Sequence, residues 1–167
     1  EIVVAEQPPR MTKLAAKELQ SYVEKISGAS LPIVTKPSGG NTRPIYVGRS
    51  SFTDQLQIND SKLEHGAFRI VARGDLLVLL GHDADFTPLP PHNRHNGDIA
   101  RATAEWDKLT GATWGLPHVQ LYKSYGHELG IWEQDERGSF HAVSELLRRL
   151  GVRWFMPGEI GEVVPRR

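Results

Sequence analysis

The 167-residue chain is 39% hydrophobic and 24% charged, its 20 Lys plus Arg are matched by 20 Asp plus Glu, and it has no cysteine. Such a chain can bury roughly 70% of its unfolded surface around one core, and its composition is ordinary for a soluble globular protein. The charge balance speaks against a nucleic-acid partner, which draws a basic excess to one face; the missing cysteine excludes disulfides, thiol nucleophiles and thiolate metal sites; and no apolar run nears the roughly 18 residues that span a bilayer.

In chain order, Ile2 to Ala5 reads as a short apolar strand stopped by Pro8-Pro9. A helix follows over 10–27, because Ala15, Leu19, Tyr22, Val23 and Ile26 repeat with a 3.6-residue period. Gly28 stands where a left-handed C-terminal cap belongs. Leu31 to Thr35 and Ile45 to Val47 are the next strands, separated by the turn-rich 37–41, and a short helix is expected over 53–56. Ala67 to Ala72 and Leu76 to Leu80 form a hairpin across Arg73-Gly74-Asp75. Those three residues also spell a cell-adhesion tripeptide, but a hairpin turn accounts for them more simply. From His82 to Arg137 periodicity fades and turn residues multiply, which marks an elaborated insertion with one helical stretch over 98–109. Regularity returns over 138–150, where Phe140, Val143, Leu146, Leu147 and Leu150 share one side, Ser139 is the candidate N-cap and Gly151 the stop. Val152 to Phe155 is the last strand, with Trp154 and Phe155 expected as packing residues. At both termini the apolar stretches begin and end abruptly, so the chain reads as part of a longer polypeptide.

Three stretches carry a family resemblance: 15–33, from Ala15-Ala16-Lys17-Glu18-Leu19 through Gly28 to Ile33; Ile45-Tyr46-Val47-Gly48 with Gly66-Ala67-Phe68-Arg69-Ile70 and Leu77 to Gly81; and, most specific, Gly138-Ser139-Phe140-His141-Ala142-Val143 through Gly151-Val152-Arg153-Trp154-Phe155-Met156-Pro157-Gly158-Glu159 to Val164-Pro165. In that order they resemble the N-terminal domain of α-glucuronidase-like and β-hexosaminidase-like glycoside hydrolases, multidomain proteins of bacterial polysaccharide degradation, over about two thirds of the chain. The resemblance implies an α/β (α+β) fold: a mixed sheet of about five or more strands flanked by two main helices, β-hexosaminidase N-terminal-domain-like. It also implies a periplasmic or extracellular setting and a catalytic (β/α)₈ barrel that follows in the same polypeptide, so that this domain supplies no catalytic residue. The insertion departs from the family pattern, and nothing carries over to it.

Glycoside hydrolysis uses two carboxyl groups about 5 to 9.5 Å apart, and Asp83 with Asp85, Glu159 with Glu162, and Glu133, Asp135 and Glu136 are the available groups; carboxylates this close in sequence are more often solvated surface. Five of the seven histidines, His82, His92, His95, His118 and His127, fall in the insertion. His82, His92 and His95 with Asp83 and Asp85 are candidate metal ligands by type, though no helical ligand spacing orders them. Trp106, Trp114, Trp132, Tyr122 and Tyr125 are candidate sugar-stacking residues, against the plainer reading that a long loop needs a small core. No phosphate-cradling glycine loop and no nucleophile elbow is present.

The leading expectation is thus a single accessory domain over 1–167 with an 82–137 insertion, non-catalytic and without a cofactor, which packs on and orients the following catalytic domain. A carbohydrate-binding module that holds poly- or oligosaccharide through the insertion, and a metal-dependent hydrolase, are the alternatives.

Overall fold

The computed structural model of the protein describes residues 1–87, 101, 104–105, 108, 129–131 and 134–166. The chain divides into two compact units, Glu1–Ala84 with Asp135–Arg167, and Asp85–Gln134. In the first unit β1 (Ile2–Val3), β2 (Ile33–Val34), β3 (Ile45–Val47), β4 (Phe68–Arg73) and β5 (Leu76–Gly81) build one sheet in the order β2-β1-β3-β5-β4. β1 is parallel to β2 and β3, β3 is parallel to β5, and β4 joins antiparallel as the other arm of the hairpin. The expected mixed sheet is therefore present, with α1 (Arg10–Ser27), α2 (Ser51–Gln55) and α3 (Gly138–Leu150) as its helices among the described residues.

Strand side chains alternate between faces, and the alternation sorts the core in two. Ile2, Val47 and Leu79, with Ile33, Ile45, Ile70 and Leu77 at their edges, meet α1 and α3 on one face. Val3, Tyr46, Val78 and Leu80 meet Ile58, Phe52, Leu56 and Leu63 from α2 and the loop after it on the other. This is why β5 reads Leu-Leu-Val-Leu-Leu without a polar break: a strand covered on both sides has no solvent face. Both long helices thus lie on the same face, with Ala15, Ala16, Leu19 and Tyr22 of α1 and Ala142, Val143 and Leu147 of α3 in one cluster. The buried stripe of α3 runs through Ser139, Ala142, Val143 and Leu147, and Phe140, Leu146 and Leu150 flank it half-buried.

Both glycine stops stand as expected: Gly28 has φ +76° and Gly151 φ +105°. The hairpin loop is shorter than the sequence suggests. Arg73 pairs with Leu76, which leaves Gly74 and Asp75 as the loop, and Gly74 takes φ +47° at its first position. Ser139 is not the N-cap of α3; the helix begins at Gly138, one residue earlier, so Ser139 lies in its first turn. Val152 to Phe155 contributes only β6 (Arg153–Trp154), which pairs with β7 (Glu162–Val163) in a separate two-stranded sheet closed by a 3-10 turn at Glu159–Gly161.

The roots of the expected insertion belong to the first unit. Gly138 N donates to His82 O at 3.0 Å and Glu136 N to Ala84 O at 2.9 Å, so the two segments run side by side. In the second unit residues 101, 104, 105 and 108 are helical, and Arg101 Nη1 donates to Glu105 Oε2 at 3.2 Å; the rest of the helix expected over 98–109 lies outside the described residues.

Candidate functional site

In open α/β sheets, ligand sites form outside the carboxyl ends of the parallel strands. Here that edge is where Gly48-Arg49 leaves β3 and Gly81-His82-Asp83 leaves β5, and it gathers a cluster of polar side chains. Gly48 has φ +76°, and a Cβ on it would lie 2.5 Å from Thr12 Cγ2, so the strand end passes directly against the first turn of α1. Thr12 is buried, and its hydroxyl donates to Asp83 Oδ2 at 2.7 Å. Ser139 N donates to Asp83 Oδ1 at 2.9 Å, while Gly81 N donates to Ser139 Oγ at 3.0 Å. Asp83 thereby does for α3 what a local N-cap side chain does elsewhere, accepting from a first-turn N–H. Burial pushes its carboxyl above the usual range, and the bonds from Ser139 and Thr12 pull the other way.

Around this half-buried carboxylate lie two ion-pair systems. Arg10, at the start of α1, makes a side-on fork to Asp135, with Nε–Oδ2 at 2.9 Å and Nη2–Oδ1 at 2.6 Å. Arg49 joins Asp54 and Asp60, each at 3.0 Å. His82 then faces Asp60 through Nδ1 at 3.3 Å and Glu136 through Nε2 at 3.4 Å, and His65 Nδ1 meets the other Glu136 oxygen at 2.7 Å.

The sequence candidates are distributed unevenly. Of the metal candidates, His82 and Asp83 lie in this cluster, but their polar atoms face Asp60, Glu136, Thr12 and Ser139. Asp85 is exposed and belongs to the second unit, and His92 and His95 lie outside the described residues. Among the described residues no three His, Asp or Glu side chains are arranged to hold a metal ion. The sugar-stacking candidates Trp106, Trp114, Trp132, Tyr122 and Tyr125 all lie outside the described residues, as does Glu133. Asp135 and Glu136, weighed as a solvated run, are instead drawn into the cluster, Asp135 at 2% exposure. Sequence reasoning missed Arg10, Thr12, Asp60 and His65. Thr12 had a signal: it stands four residues before Ala16 and seven before Leu19, a polar group on the buried stripe of α1 that must find a partner.

A second constellation fixes the β6–β7 hairpin to α1. Trp154 Nε1 donates to Tyr22 Oη at 2.7 Å, Tyr22 Oη donates to Glu162, and Lys25 Nζ donates to Glu162 Oε2 at 2.8 Å. Trp154 meets Tyr22 edge-on with centroids 5.4 Å apart, and Lys25 Nζ lies 4.7 Å from the Tyr22 ring centroid. The expectation that Trp154 and Phe155 are packing residues holds in part for Trp154, which packs on Tyr22 while 44% exposed, and is corrected for Phe155, 74% exposed, because β6 pairs outside the main sheet. Burial, and then the bond to the Glu162 carboxylate, push the Tyr22 hydroxyl up to about 12. An ultraviolet phenolate titration of the folded protein is accordingly expected to contain one late step near that value. Because the folded state holds this proton more tightly, its contribution to stability is present below the ordinary value of 10.0 and is lost as pH rises through about 12. In Tyr22→Phe the late step disappears, and one that persists would assign it to another tyrosine.

The fold and this edge define a mixed α/β domain with two long helices on one face of a five-stranded sheet. No protein-family model matches the chain, and no curated protein matches it.

Proposed function

We propose that this chain is a non-catalytic accessory domain of a carbohydrate-degrading glycoside hydrolase, α-glucuronidase-like or hexosaminidase-like, which packs on and orients a following catalytic domain. One observation carries the reading. Of the six large apolar side chains exposed among the described residues, five (Trp154, Phe155, Met156, Ile160 and Val163) fall within 154–163, and Ile160 is 95% exposed. Apolar groups concentrated on one short surface segment mark an interaction site rather than the scattered apolar surface of any protein. The hairpin that presents them is held rigid by Tyr22, Lys25 and Glu162, which lowers the ordering entropy of docking. The same segment holds the most specific part of the family resemblance. Two of the carboxylates that could otherwise suggest hydrolysis are engaged as well: Glu162 accepts from Tyr22 and Lys25, and Asp83 accepts from Thr12 and Ser139. By the same resemblance the setting is periplasmic or extracellular.

The test has two arms. The chain alone is expected to release no product from aryl glycosides, glucuronoxylan or chitin fragments. The reading frame beyond Arg167 is expected to encode an alternating strand–helix barrel that, expressed separately, binds this chain until Phe155→Asp and Ile160→Asp remove the contact. Steady turnover by the chain alone, or a downstream sequence with no barrel, overturns the proposal.

A further inference from the structure

We propose that His82 and His65 form a proton-dependent brace that fastens the 57–66 loop to the paired backbone segments at 82–84 and 135–137. The loop is a place where a brace is needed. It has no regular structure between α2 and β4, and it carries three residues at positive φ: Gln57 (+58°), Lys62 (+68°) and Gly66 (+75°). For the first two this is an uncommon, mildly unfavourable conformation. Ile58 and Leu63 anchor the loop to the core from below. Its outer edge is held by imidazoles.

The geometry at His82 supplies the argument. Both ring nitrogens face carboxylate oxygens, Nδ1 toward Asp60 on the loop and Nε2 toward Glu136 beside α3. A neutral imidazole carries one N–H, so one nitrogen must then turn a lone pair toward a carboxylate; only the doubly protonated ring presents a donor to each. Glu136 Oε2 is buried and makes no hydrogen bond, so the 3.4 Å approach of His82 Nε2 is a coulombic contact whose strength depends on the ring's charge. His65, on the loop itself, meets Glu136 Oε1 at 2.7 Å, so this one carboxylate stands between two imidazoles whose centroids are 6.2 Å apart.

The surrounding charges favour protonation of His65. Asp60, Glu64, Asp83 and Glu136 are acidic; of the cations, Arg49, just after β3, bridges Asp54 and Asp60, and Arg69 on β4 donates from Nη1 to Asn59 O of the loop at 3.3 Å. On α3, His141 Nδ1 lies 3.0 Å from Gly66 O and adds a further imidazole at the loop's end. The bond to Glu136, and then its charge, raise His65 above the ordinary 6.5. A raised value means that this contribution is fully present below 6.5 and is lost as pH rises through the folded-state value. The brace therefore holds in mildly acidic solution and loosens as the medium turns alkaline.

Amide hydrogen exchange of the whole chain between pH 5.5 and 8.5, corrected for intrinsic rates, tests the idea. Protection at 60–66 and 135–137 is expected to fall severalfold across the range, while amides of β1, β3 and β5 keep theirs. His82→Gln and Glu136→Gln are expected to flatten that response, and His65→Gln to reduce it. Should those variants fail to fold, nitrogen-15 spectra of the wild-type histidines decide, since His82 must carry protons on both nitrogens where protection is full. Protection independent of pH, loss spread evenly over the sheet, or a singly protonated His82 in the fully protected state overturns the proposal.

Discussion

Gly81→Ala is expected to destabilise the domain by on the order of 4 kcal/mol, at the extreme of what single substitutions do. A Cβ at Gly81 would lie 2.2 Å from Gly138 C, 2.4 Å from its Cα and 2.6 Å from its O. All three atoms are backbone, so no side-chain rotation can relieve the overlap. The sheet and the start of α3 touch main chain to main chain at this point, and a Cβ on Gly138 would in turn meet His82 N at 2.5 Å and Ala67 O at 2.8 Å. Overpacking in cores usually costs about 1–3 kcal/mol because neighbours give way. Here giving way means lifting α3 off β5, which also breaks the Gly81 N–Ser139 Oγ and Ser139 N–Asp83 bonds. Gly74→Ala is the instructive control. Gly74 has φ +47° with nothing within 4 Å of its virtual Cβ, so its cost is conformational only, about 1–2 kcal/mol. Urea denaturation of the two variants should separate the mechanisms. A Gly81→Ala midpoint close to that of Gly74→Ala would mean that the helix is free to retreat.

That contact also shows where reading from sequence stops. The extents of α1 and α3, the two glycine stops and the hairpin strands follow from local rules, because period and turn chemistry are written in neighbouring residues. The fully apolar run at Leu76–Leu80 even carried the fact that both faces of β5 are covered. Which helix covers which face did not follow, and neither did the isolation of β6 from the main sheet. Trp154 and Phe155 look like core residues to any hydrophobicity argument, and only the partner of their strand decides that Phe155 is left exposed and that Trp154 packs on Tyr22 outside the sheet's core. The polar edge fails for a related reason. Thr12 and Asp83 are 71 positions apart, and Arg10 and Asp135 are 125 apart, so no spacing rule could join them. Local reasoning placed Asp135 on a solvated surface since carboxylates so close in sequence usually are. What a sequence can offer in such a case is a question, such as why Thr12 interrupts an apolar stripe, and the answer arrives with the tertiary fold.

The Arg10–Asp135 pair is the second place where one substitution should matter greatly. Asp135→Ala is expected to cost about 3 kcal/mol, the lower end of what breaking a buried ion pair costs. The Asp135 side chain is fully buried and that of Arg10 is 22% exposed, so the guanidinium left behind can regain part of its hydration. Asp135→Asn should cost nearly as much: the amide keeps the shape, but it loses the charge and turns N–H groups toward a guanidinium that can only donate. The pair joins the start of α1 to the segment just before α3, and so ties together the entries of both long helices. Yet two buried charges are expensive to desolvate, and replacing both with apolar groups of similar volume is often neutral. Arg10→Met combined with Asp135→Leu is therefore expected to be more stable than Asp135→Ala alone. The cycle formed by Arg10→Met and Asp135→Leu, singly and together, should show a coupling of about 2 kcal/mol, within the usual range for residues in contact. Strictly additive single and double variants in denaturant titrations would mean that the fork is held in place by its neighbours and adds no stability of its own.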